Sequence, residues 1–180
     1  MYKRQDLENL EAYYKDRGFL QFSIDSSQVS ISSDLEELYI TLILAEGEQY
    51  KVGEVNISGE LPLEREFFEK LLNIPEGSTY SESIITSYEE FFANILGNEG
   101  YTFAEIDGVP TISPDDKVTD ITFVFNPGRK NYTRRVIFRG NDFTTDEVLR
   151  REMRQFEGAP ASNQLIEQSK LFLERTGYFK

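Results

Sequence analysis

The sequence predicts an α+β fold of tandem βααββ modules, each with a three-stranded mixed sheet and two helices on one face. Three observations predict this fold: a repeat at an offset of 81 residues, strands with alternating apolar residues, and helices with an apolar stripe. The offset places residues 55–59 on 136–140 and residues 75–78 on 156–159. A glycine followed by an aromatic residue also recurs in each copy, at Gly18, Gly100 and Gly177.

The first half of the middle copy is predicted to be a strand and a short helix. Residues 52–58 alternate Val55 and Ile57 with polar residues and end at Gly59, which is typical of a strand. Residues 63–73 then carry apolar side chains at helical spacing, and the sequence Pro-Glu-Gly at 75–77 ends that helix.

The second half of the middle copy is predicted to be a longer helix and two strands. Ser81 offers an N-cap oxygen, apolar residues recur three and four apart, and Gly100 ends the helix. Strands are expected near residues 101–112 and over 118–125, with a polar turn at 113–116. In each copy the terminating glycine is expected to precede an aromatic residue that anchors the core, at Phe19, Tyr101 and Tyr178.

The repeat divides the chain into one complete module, residues 48–128, between two incomplete ones. Residues 1–47 hold a second helix and the last two strands, and residues 129–180 hold a first strand and two helices. In the last copy Thr144 and Glu147 make a capping-box pattern before a helix at 145–157. Half a module cannot cover its own apolar faces, so we expect a piece of a longer chain. Its incomplete ends would be either disordered or completed between chains.

Composition removes most catalytic chemistry. The chain has 19 Lys and Arg against 32 Asp and Glu, and this net charge of −13 disfavours nucleic acid as a partner. It has no His and no Cys, which excludes an imidazole base, a thiolate nucleophile and a metal held by those residues. Any remaining catalysis would need carboxylates, lysine, tyrosine or hydroxyl groups, and we expect no cofactor.

The acidic residues offer two weaker alternatives. The aspartates between 107 and 120 lack the spacing of an EF-hand loop and are interpreted as a solvated turn: Asp107, Asp115, Asp116 and Asp120. Adjacent carboxylates at 36–37 and 89–90 would point in different directions on a helix, so a carboxylate hydrolase is the least favoured class.

Several motifs, in this order, resemble a known family. They are DRG at 16–18, IDSSQVS at 24–30, EGEQYK at 46–51, RGND at 139–142, VLRREMRQ at 148–155 and EGA at 157–159. Together they are similar to the periplasmic POTRA modules of the outer-membrane protein assembly factors of Gram-negative bacteria. The resemblance covers nearly the whole chain. It identifies the three copies as the later half of a third module, a whole fourth and the first half of a fifth.

The resemblance implies a non-catalytic role in folding and inserting outer-membrane β-barrels. It implies a periplasmic location within an outer-membrane protein, with membrane contact only through a barrel that is absent from this sequence. The implied partners are unfolded outer-membrane proteins and assembly lipoproteins, BamD-like at the last module and BamB-like at the first. The alternative is a POTRA-like interaction module of another system, either a two-partner secretion transporter or a cell-division protein.

The first candidate site is a strand edge. In POTRA modules the strand after the second helix lies at an edge, where free N–H and C=O groups accept another strand. In the first copy this strand contains no proline and reads Gln28, Val29, Ser30, Ile31, Ser32. In the second copy Pro110 replaces Val29 and, lacking an N–H, blunts the edge. We expect residues 28–32 to accept a partner strand; the alternative is an ordinary solvated edge.

The second candidate site is the predicted helix at 145–157. Arg150, Arg151 and Arg154 concentrate positive charge in an acidic chain. Glu157 stands at the helix C-terminus, where the dipole disfavours an acid, so this interpretation gives it no local stabilising role. Four apolar residues are expected to face the core: Val148, Leu149, Met153 and Phe156. The resemblance implies that the four charged residues dock the BamD-like lipoprotein; the alternative is a solvated amphipathic helix.

Overall fold

The computed structural model describes residues 2–32 and 36–177. The helices are α1 (Tyr2–Lys15), α2 (Arg65–Leu71), α3 (Glu82–Asn98), α4 (Asp146–Glu152) and α5 (Asn163–Arg175). The strands are β1 (Ser23–Ile31), β2 (Leu38–Ala45), β3 (Lys51–Gly59), β4 (Glu105–Ser113) and β5 (Val118–Asn126). The predicted order of strand, two helices and two strands is confirmed in the middle copy.

The middle copy contains a three-stranded sheet in the order β3-β5-β4. The amide of Lys51 donates to the carbonyl of Lys117 at 3.0 Å, and the amide of Glu60 donates to the carbonyl of Phe125 at 3.0 Å. Both sets of positions increase along the chain, so β3 and β5 run parallel. The short turn between β4 and β5 makes that pair antiparallel, and the sheet is mixed, as predicted.

The described chain divides into two compact units. The first unit comprises Met1–Ile57, Phe68–Tyr88 and Gly108–Phe123. Its core is formed by almost fully buried side chains of helices, strands and the connections between them: Phe22, Tyr50, Val52, Ile57, Phe68, Tyr80, Ile85, Ile121 and Phe123. The alternation predicted for β5 produces this burial, because every second residue points to the same face.

The second unit comprises Ser58–Phe67, Glu89–Asp107 and Val124–Lys180. Its buried apolar side chains include Phe92, Leu96, Ile106, Phe125 and Leu149. The rings of Phe92 and Phe125 lie 5.3 Å apart between centroids, so the stripe of α3 packs directly on β5 in this unit.

In the first unit, a residue just after α1 caps the N-terminus of α3. Oδ1 of Asp16 accepts hydrogen bonds from Oγ of Ser81 at 3.0 Å and from the amide of Ser83 at 2.8 Å. The carbonyl of Gly18 accepts the amide of Tyr50 at 2.8 Å. Gly18 has a φ of +88°, and a Cβ there would lie 2.7 Å from the carbonyl oxygen of Tyr50, so only glycine fits. We call this arrangement of bonds the capping junction.

The second unit contains the same capping junction about one repeat later. Oδ1 of Asn98 accepts hydrogen bonds from Oγ of Ser162 at 3.1 Å and from the amide of Gln164 at 2.9 Å. The carbonyl of Gly100 accepts the amide of Asn131 at 2.8 Å. The repeat therefore extends to the hydrogen bonds that join each copy to the next.

The helix predicted at 145–157 is wrong in length. α4 ends at Glu152 because Oγ of Ser169, on α5, accepts the amides of Arg154 at 2.8 Å and Gln155 at 3.2 Å. Those two amides bond to a side chain instead of continuing the helix. The capping box is also wrong: the N-cap residue is Thr145, and its side chain makes no capping bond.

The first strand expected in the last copy is reduced to an isolated bridge between Tyr132 and Pro160. Among the described residues no strand lies beside 133–139, and without a neighbour an extended segment cannot form a ladder. The backbone of Val136 instead bonds to side chains: its amide donates to Glu157 at 2.8 Å and its carbonyl accepts from Arg150 at 3.0 Å.

The helix-stop glycines are confirmed at Gly18, Gly100 and Gly177, which follow α1, α3 and α5 with positive φ. Phe19 and Tyr101 are only half-buried, however, and the fully buried aromatic residue of the first copy is Phe22. Tyr178 lies outside the described residues. In the described part of the chain, no helix combines the length and apolar character needed to cross a membrane.

Candidate partner-binding surfaces

β1 and β2 form a two-stranded antiparallel sheet in which β1 contains four of the five residues predicted to accept a strand. Val29 lies opposite Ile40, and Ile31 lies opposite Leu38. Within the described residues the other edge of β1 has no neighbouring strand. The edge that the sequence proposed is therefore open from Gln28 to Ile31.

Ser32 fixes which backbone groups face that open edge. Its amide donates to the carbonyl of Glu37 at 2.9 Å, so these two residues form a hydrogen-bonded pair. Such pairs alternate along an antiparallel ladder, and positions 28 and 30 therefore bond to β2. The alternation directs outward the N–H and C=O groups of Ser27, Val29 and Ile31.

The inclusion of Ser32 in the strand-accepting segment needs correction. β1 ends at Ile31, and Oγ of Ser32 accepts the amide of Glu37 at 3.0 Å. The hydroxyl and the amide of Ser32 both bond to Glu37, so this residue closes the β1–β2 connection.

One face of the hairpin carries an exposed apolar patch, which we call the hairpin patch. Residues directly opposite each other in a ladder share a face. The hairpin patch consists of two such pairs, each side chain being about half exposed: Val29 (48%), Ile40 (55%), Ile31 (58%) and Leu38 (58%). Sequence reasoning selected the first and third of these for their backbone and overlooked the patch.

β4 is the counterpart of β1 and lies at the edge of its own sheet. Pro110 occupies the position of Val29, one repeat on. By that correspondence its ring nitrogen faces the open edge, which is where a sheet tolerates proline. The β4 edge therefore lacks the donor that Val29 presents on β1.

Two of the three predicted arginines have structural contacts within the last copy. Arg150 forms an ion pair with Glu157 at 3.1 Å and donates to the carbonyl of Val136. The guanidinium of Arg154 lies 4.3 Å from the centroid of the Phe172 ring on α5. These contacts hold both side chains against their own module.

Arg151 is different. Its side chain is exposed, and in the part of the chain that the structure describes its guanidinium has no hydrogen bond or ion pair. Phe156, which was expected to face the core, is also exposed, at 65%. The repeat indicates that Phe156 lies outside the helix, because residue 156 aligns with Pro75, which follows the end of α2. An exposed cation and an exposed ring are both available to a partner.

Glu157 does have a local stabilising role, contrary to the expectation. Its Oε1 accepts the amide of Val136 at 2.8 Å and a guanidinium hydrogen of Arg150 at 3.1 Å. These two bonds lower the pKa of Glu157 and outweigh the opposing effect of burial. A substitution at Glu157 would therefore disturb the last module as well as any docking surface.

The acidic residues considered as calcium ligands are partly used within the sheet. Oδ1 of Asp120 accepts the amide of Glu54 at 2.8 Å, a side-chain link between β5 and β3. Among residues 2–32 and 36–177, no group of three or more acidic residues is placed to hold a metal ion.

The comparisons with known proteins agree with this architecture. The POTRA family model, described as a surface antigen variable number repeat, matches residues 50–128 and 131–180. The chain belongs to the POTRA family. The two matched segments correspond to the middle and last copies of the repeat.

Assembly factors from several bacteria are similar to this POTRA chain. It is 32% identical over 97% of its length to the outer membrane protein assembly factor BamA of Neisseria meningitidis serogroup B, of which it spans 22%. It is 29% identical over 97% of its length to BamA of Buchnera aphidicola subsp. Acyrthosiphon pisum, of which it spans 28%. The chain therefore spans less than a third of these relatives.

Two solved structures that are similar to this chain contain numbered POTRA modules. The crystal structure of Haemophilus influenzae BamA POTRA3-5 is 32% identical, with a TM-score of 0.83, covering 98% of this chain and 70% of that one. BamA from Haemophilus ducreyi lacking POTRA domains 1-3 is 36% identical, with a TM-score of 0.66, covering 73% and 25%. The POTRA fold expected from the resemblance is confirmed, and the relatives are assembly factors rather than enzymes.

Proposed function

We propose that this chain is a periplasmic, non-catalytic POTRA scaffold of the outer-membrane β-barrel assembly machinery. In this role the β1 edge accepts strands of unfolded outer-membrane proteins, and assembly lipoproteins bind elsewhere on the modules. The observation that carries the proposal is the open edge of β1, together with the relatedness to assembly factors over nearly the whole chain.

The β1 edge suits strand addition for a geometric reason. Ser27, Val29 and Ile31 present three N–H and three C=O groups outward, which a third strand can pair with whatever its side chains are. The hairpin patch lies on one face of the same sheet and would contact alternate apolar residues of the incoming strand. Outer-membrane β-barrel strands have that alternation.

The second part of the proposal concerns lipoprotein docking. Arg151 and Phe156 are exposed in the last copy, whereas Arg150, Arg154 and Glu157 have contacts within it. We assign the contact with a BamD-like lipoprotein to Arg151 and Phe156, with the other three positioning the surface. A BamB-like lipoprotein is assigned to the first module.

Peptide binding tests strand addition. A fluorescent peptide of alternating apolar and polar residues, taken from an outer-membrane β-barrel strand, is titrated with the chain and followed by anisotropy. Val29→Pro removes an outward N–H without touching the bonds to β2, and it is expected to weaken binding by about tenfold. Pro110→Val restores a donor at the matching position of β4 and is expected to strengthen total binding.

Equal affinity of a folded Val29→Pro chain and the wild type would contradict strand addition at β1. The lipoprotein part is tested separately, by capturing BamD-like and BamB-like lipoproteins on the immobilised chain. Arg151→Glu is expected to reduce capture of the BamD-like protein and to leave peptide binding unchanged. Unchanged capture would remove Arg151 from the proposed surface.

A further inference from the structure

The pairing of β1 with β2 is irregular at one position. Ile24 lies opposite Leu44, and the next pair along the ladder joins Ser26 to Ile43. Asp25 stands between these two pairs and has no partner of its own on β2. One strand therefore carries one residue more than the other between successive pairs, which defines a β-bulge. From the bulge to the end of β1 the ladder is regular.

Comparison with the middle copy identifies the same feature as an insertion. The Ile-Asp sequence at 24–25 recurs at 106–107, an offset of 82 residues, whereas Val29 and Pro110 are offset by 81. The first copy thus has one residue more than the middle copy between these two points. The repeat and the strand pairing indicate the extra residue independently, so the bulge is specified by the sequence.

The bulge changes the spacing of the backbone groups that face the open edge. The outward residues 27, 29 and 31 lie opposite Leu42, Ile40 and Leu38, which are every second residue of β2. Leu44 continues that series, so Ile24 opposite it also points outward. Successive outward positions on β1 are therefore 24, 27, 29 and 31. The first step is three residues long, and the other two steps are two residues long.

An incoming strand that has no bulge cannot follow this spacing. Its N–H and C=O groups face one side at every second residue, so it pairs with Ser27, Val29 and Ile31 and loses register beyond the bulge. At the other end the hydroxyl and the amide of Ser32 close the connection to β2. The usable edge is therefore bounded at both ends and spans residues 27–31.

This edge is a feature of the module in both copies. β4, the counterpart of β1, lies at the edge of a three-stranded sheet in the order β3-β5-β4. The middle copy restricts that edge with Pro110, whereas the first copy has no proline there and carries the bulge instead. Prolines and bulges are both used to prevent unlimited pairing at an edge strand. The two copies therefore restrict the same edge by different means.

We propose that the bulge at Asp25 terminates the strand-accepting edge, so that β1 binds a segment of about five residues and cannot pair with a longer one. This inference rests on the proposed function, because it concerns the strand that the edge accepts. A transmembrane β-strand has about 9–11 residues. The edge therefore holds about half of such a strand, and the other half remains free to pair elsewhere.

Binding of peptides of increasing length tests this limit. Fluorescent peptides of about 5 to about 11 residues, taken from one outer-membrane β-barrel strand, are titrated with the chain and followed by anisotropy. Dissociation constants for peptides longer than about 7 residues are expected to agree within about threefold, because the added residues find no partner on β1.

Deletion of Asp25 is the direct test of the bulge. The deletion keeps every pair of the β1–β2 ladder and makes the outward spacing regular up to Ile24. The longest peptide is then expected to bind about tenfold more tightly than to the wild type, because further main-chain hydrogen bonds can form. The shortest peptide is expected to bind both chains equally.

Two proline variants form a matched pair that needs no deletion. Proline at an outward position removes a donor from the edge and leaves the bonds to β2 intact. Ser27→Pro is expected to weaken binding of the longest peptide by about tenfold, whereas Ile24→Pro, beyond the bulge, is expected to leave it unchanged. In the chain without Asp25, Ile24→Pro is expected to abolish the gain. Circular-dichroism melts verify that every variant is folded.

Affinity that keeps rising with length on the wild-type chain would overturn the limit, as would an Ile24→Pro chain weakened as much as Ser27→Pro. In both cases peptide binding would remain sensitive to Val29→Pro, so the proposed strand addition would stand. Absence of binding at every length, or binding that is insensitive to Val29→Pro, would contradict the proposed strand addition and the limit with it.

Discussion

Asparagine in place of Asp16 separates charge from hydrogen bonding at the first capping junction. The carboxylate accepts hydrogen bonds from Ser81 Oγ and the Ser83 amide at the N-terminus of α3, where the helix dipole favours a negative charge. Asparagine keeps an acceptor oxygen and loses the charge, whereas alanine loses both. Asn98 already makes the two equivalent bonds at the second junction, so the geometry accepts asparagine.

The expected cost follows from these contacts. Asp16→Ala removes two hydrogen bonds and a charge–dipole interaction at a half-exposed site, and it should lower the free energy of unfolding by about 1.5–3 kcal/mol. Asp16→Asn should lower it by about 0.5–1 kcal/mol, since only the charge is lost.

The charge also makes the difference depend on pH. Burial raises the pKa of Asp16, but the hydrogen bonds from Ser83 and Ser81, with the nearby Arg17 charge, outweigh it and hold the pKa below its ordinary value of 3.8. A lowered pKa in the folded state adds stability that is complete above the ordinary value and is lost as the pH falls through the folded value. The advantage of wild type over Asp16→Asn should therefore exist at neutral pH and vanish as the pH falls through the lowered pKa of Asp16.

Urea unfolding followed by far-UV circular dichroism, at neutral and at acid pH, measures both effects. The matched variant is Asn98→Asp, which should stabilise the second junction by less than about 0.5 kcal/mol, because Glu99 stands where the first junction has Arg17. An Asp16→Asn chain as stable as the wild type at neutral pH would refute the role of charge, and equal losses for Asp16→Asn and Asp16→Ala would refute the role of the acceptor oxygen. A difference between wild type and Asp16→Asn that persists unchanged in acid would also refute the role of charge.

Three further predictions concern stability. Gly59→Ala should lower the free energy of unfolding by about 3 kcal/mol or more, because its Cβ would lie 2.2 Å from the carbonyl oxygen of Phe125. Gly140 is its repeat counterpart and has open space around it, so Gly140→Ala should lower the free energy of unfolding by only about 1 kcal/mol. Thermal melts of both variants measure the difference. Ser169→Ala should cost about 1–3 kcal/mol by urea unfolding, because two backbone amides lose their acceptor. The wild type should lose stability relative to Glu157→Gln as the pH falls through the lowered pKa of Glu157, and parallel pH profiles of the two chains would contradict this.

The elements of the middle copy could be predicted because each depends on local pattern: alternation in β3, an apolar stripe in α3, and a glycine after it. The end of α4 could not, because it is set by Ser169, fifteen residues beyond Arg154. In the middle copy the same position is Tyr88, whose hydroxyl accepts the amide of Asn73 at 3.1 Å. A serine and a tyrosine accept the corresponding amide, so comparison of the repeats alone does not reveal the contact.

The candidate surfaces also combine features that local sequence pattern predicts with contacts that it does not predict. An open edge at Val29 was predictable from alternation and from the proline at its counterpart. The outward direction of its N–H required the bond between Ser32 and Glu37. The contact between Glu157 and the Val136 amide joins positions 21 residues apart, through a segment that the sequence assigned to a strand. Residue type alone therefore made Glu157 look unsupported.

α3 begins in the middle copy, but Asp16 of the preceding copy caps its N-terminus. The free energy of initiating this helix therefore depends on both copies. Initiating a helix is the costly step, and a cap supplied from outside lowers that cost only when the preceding copy is already in place. α5 stands in the same relation to Asn98. A row linked in this way is expected to fold as coupled neighbours, as in other repeat proteins, and damage to one copy would pass to the next.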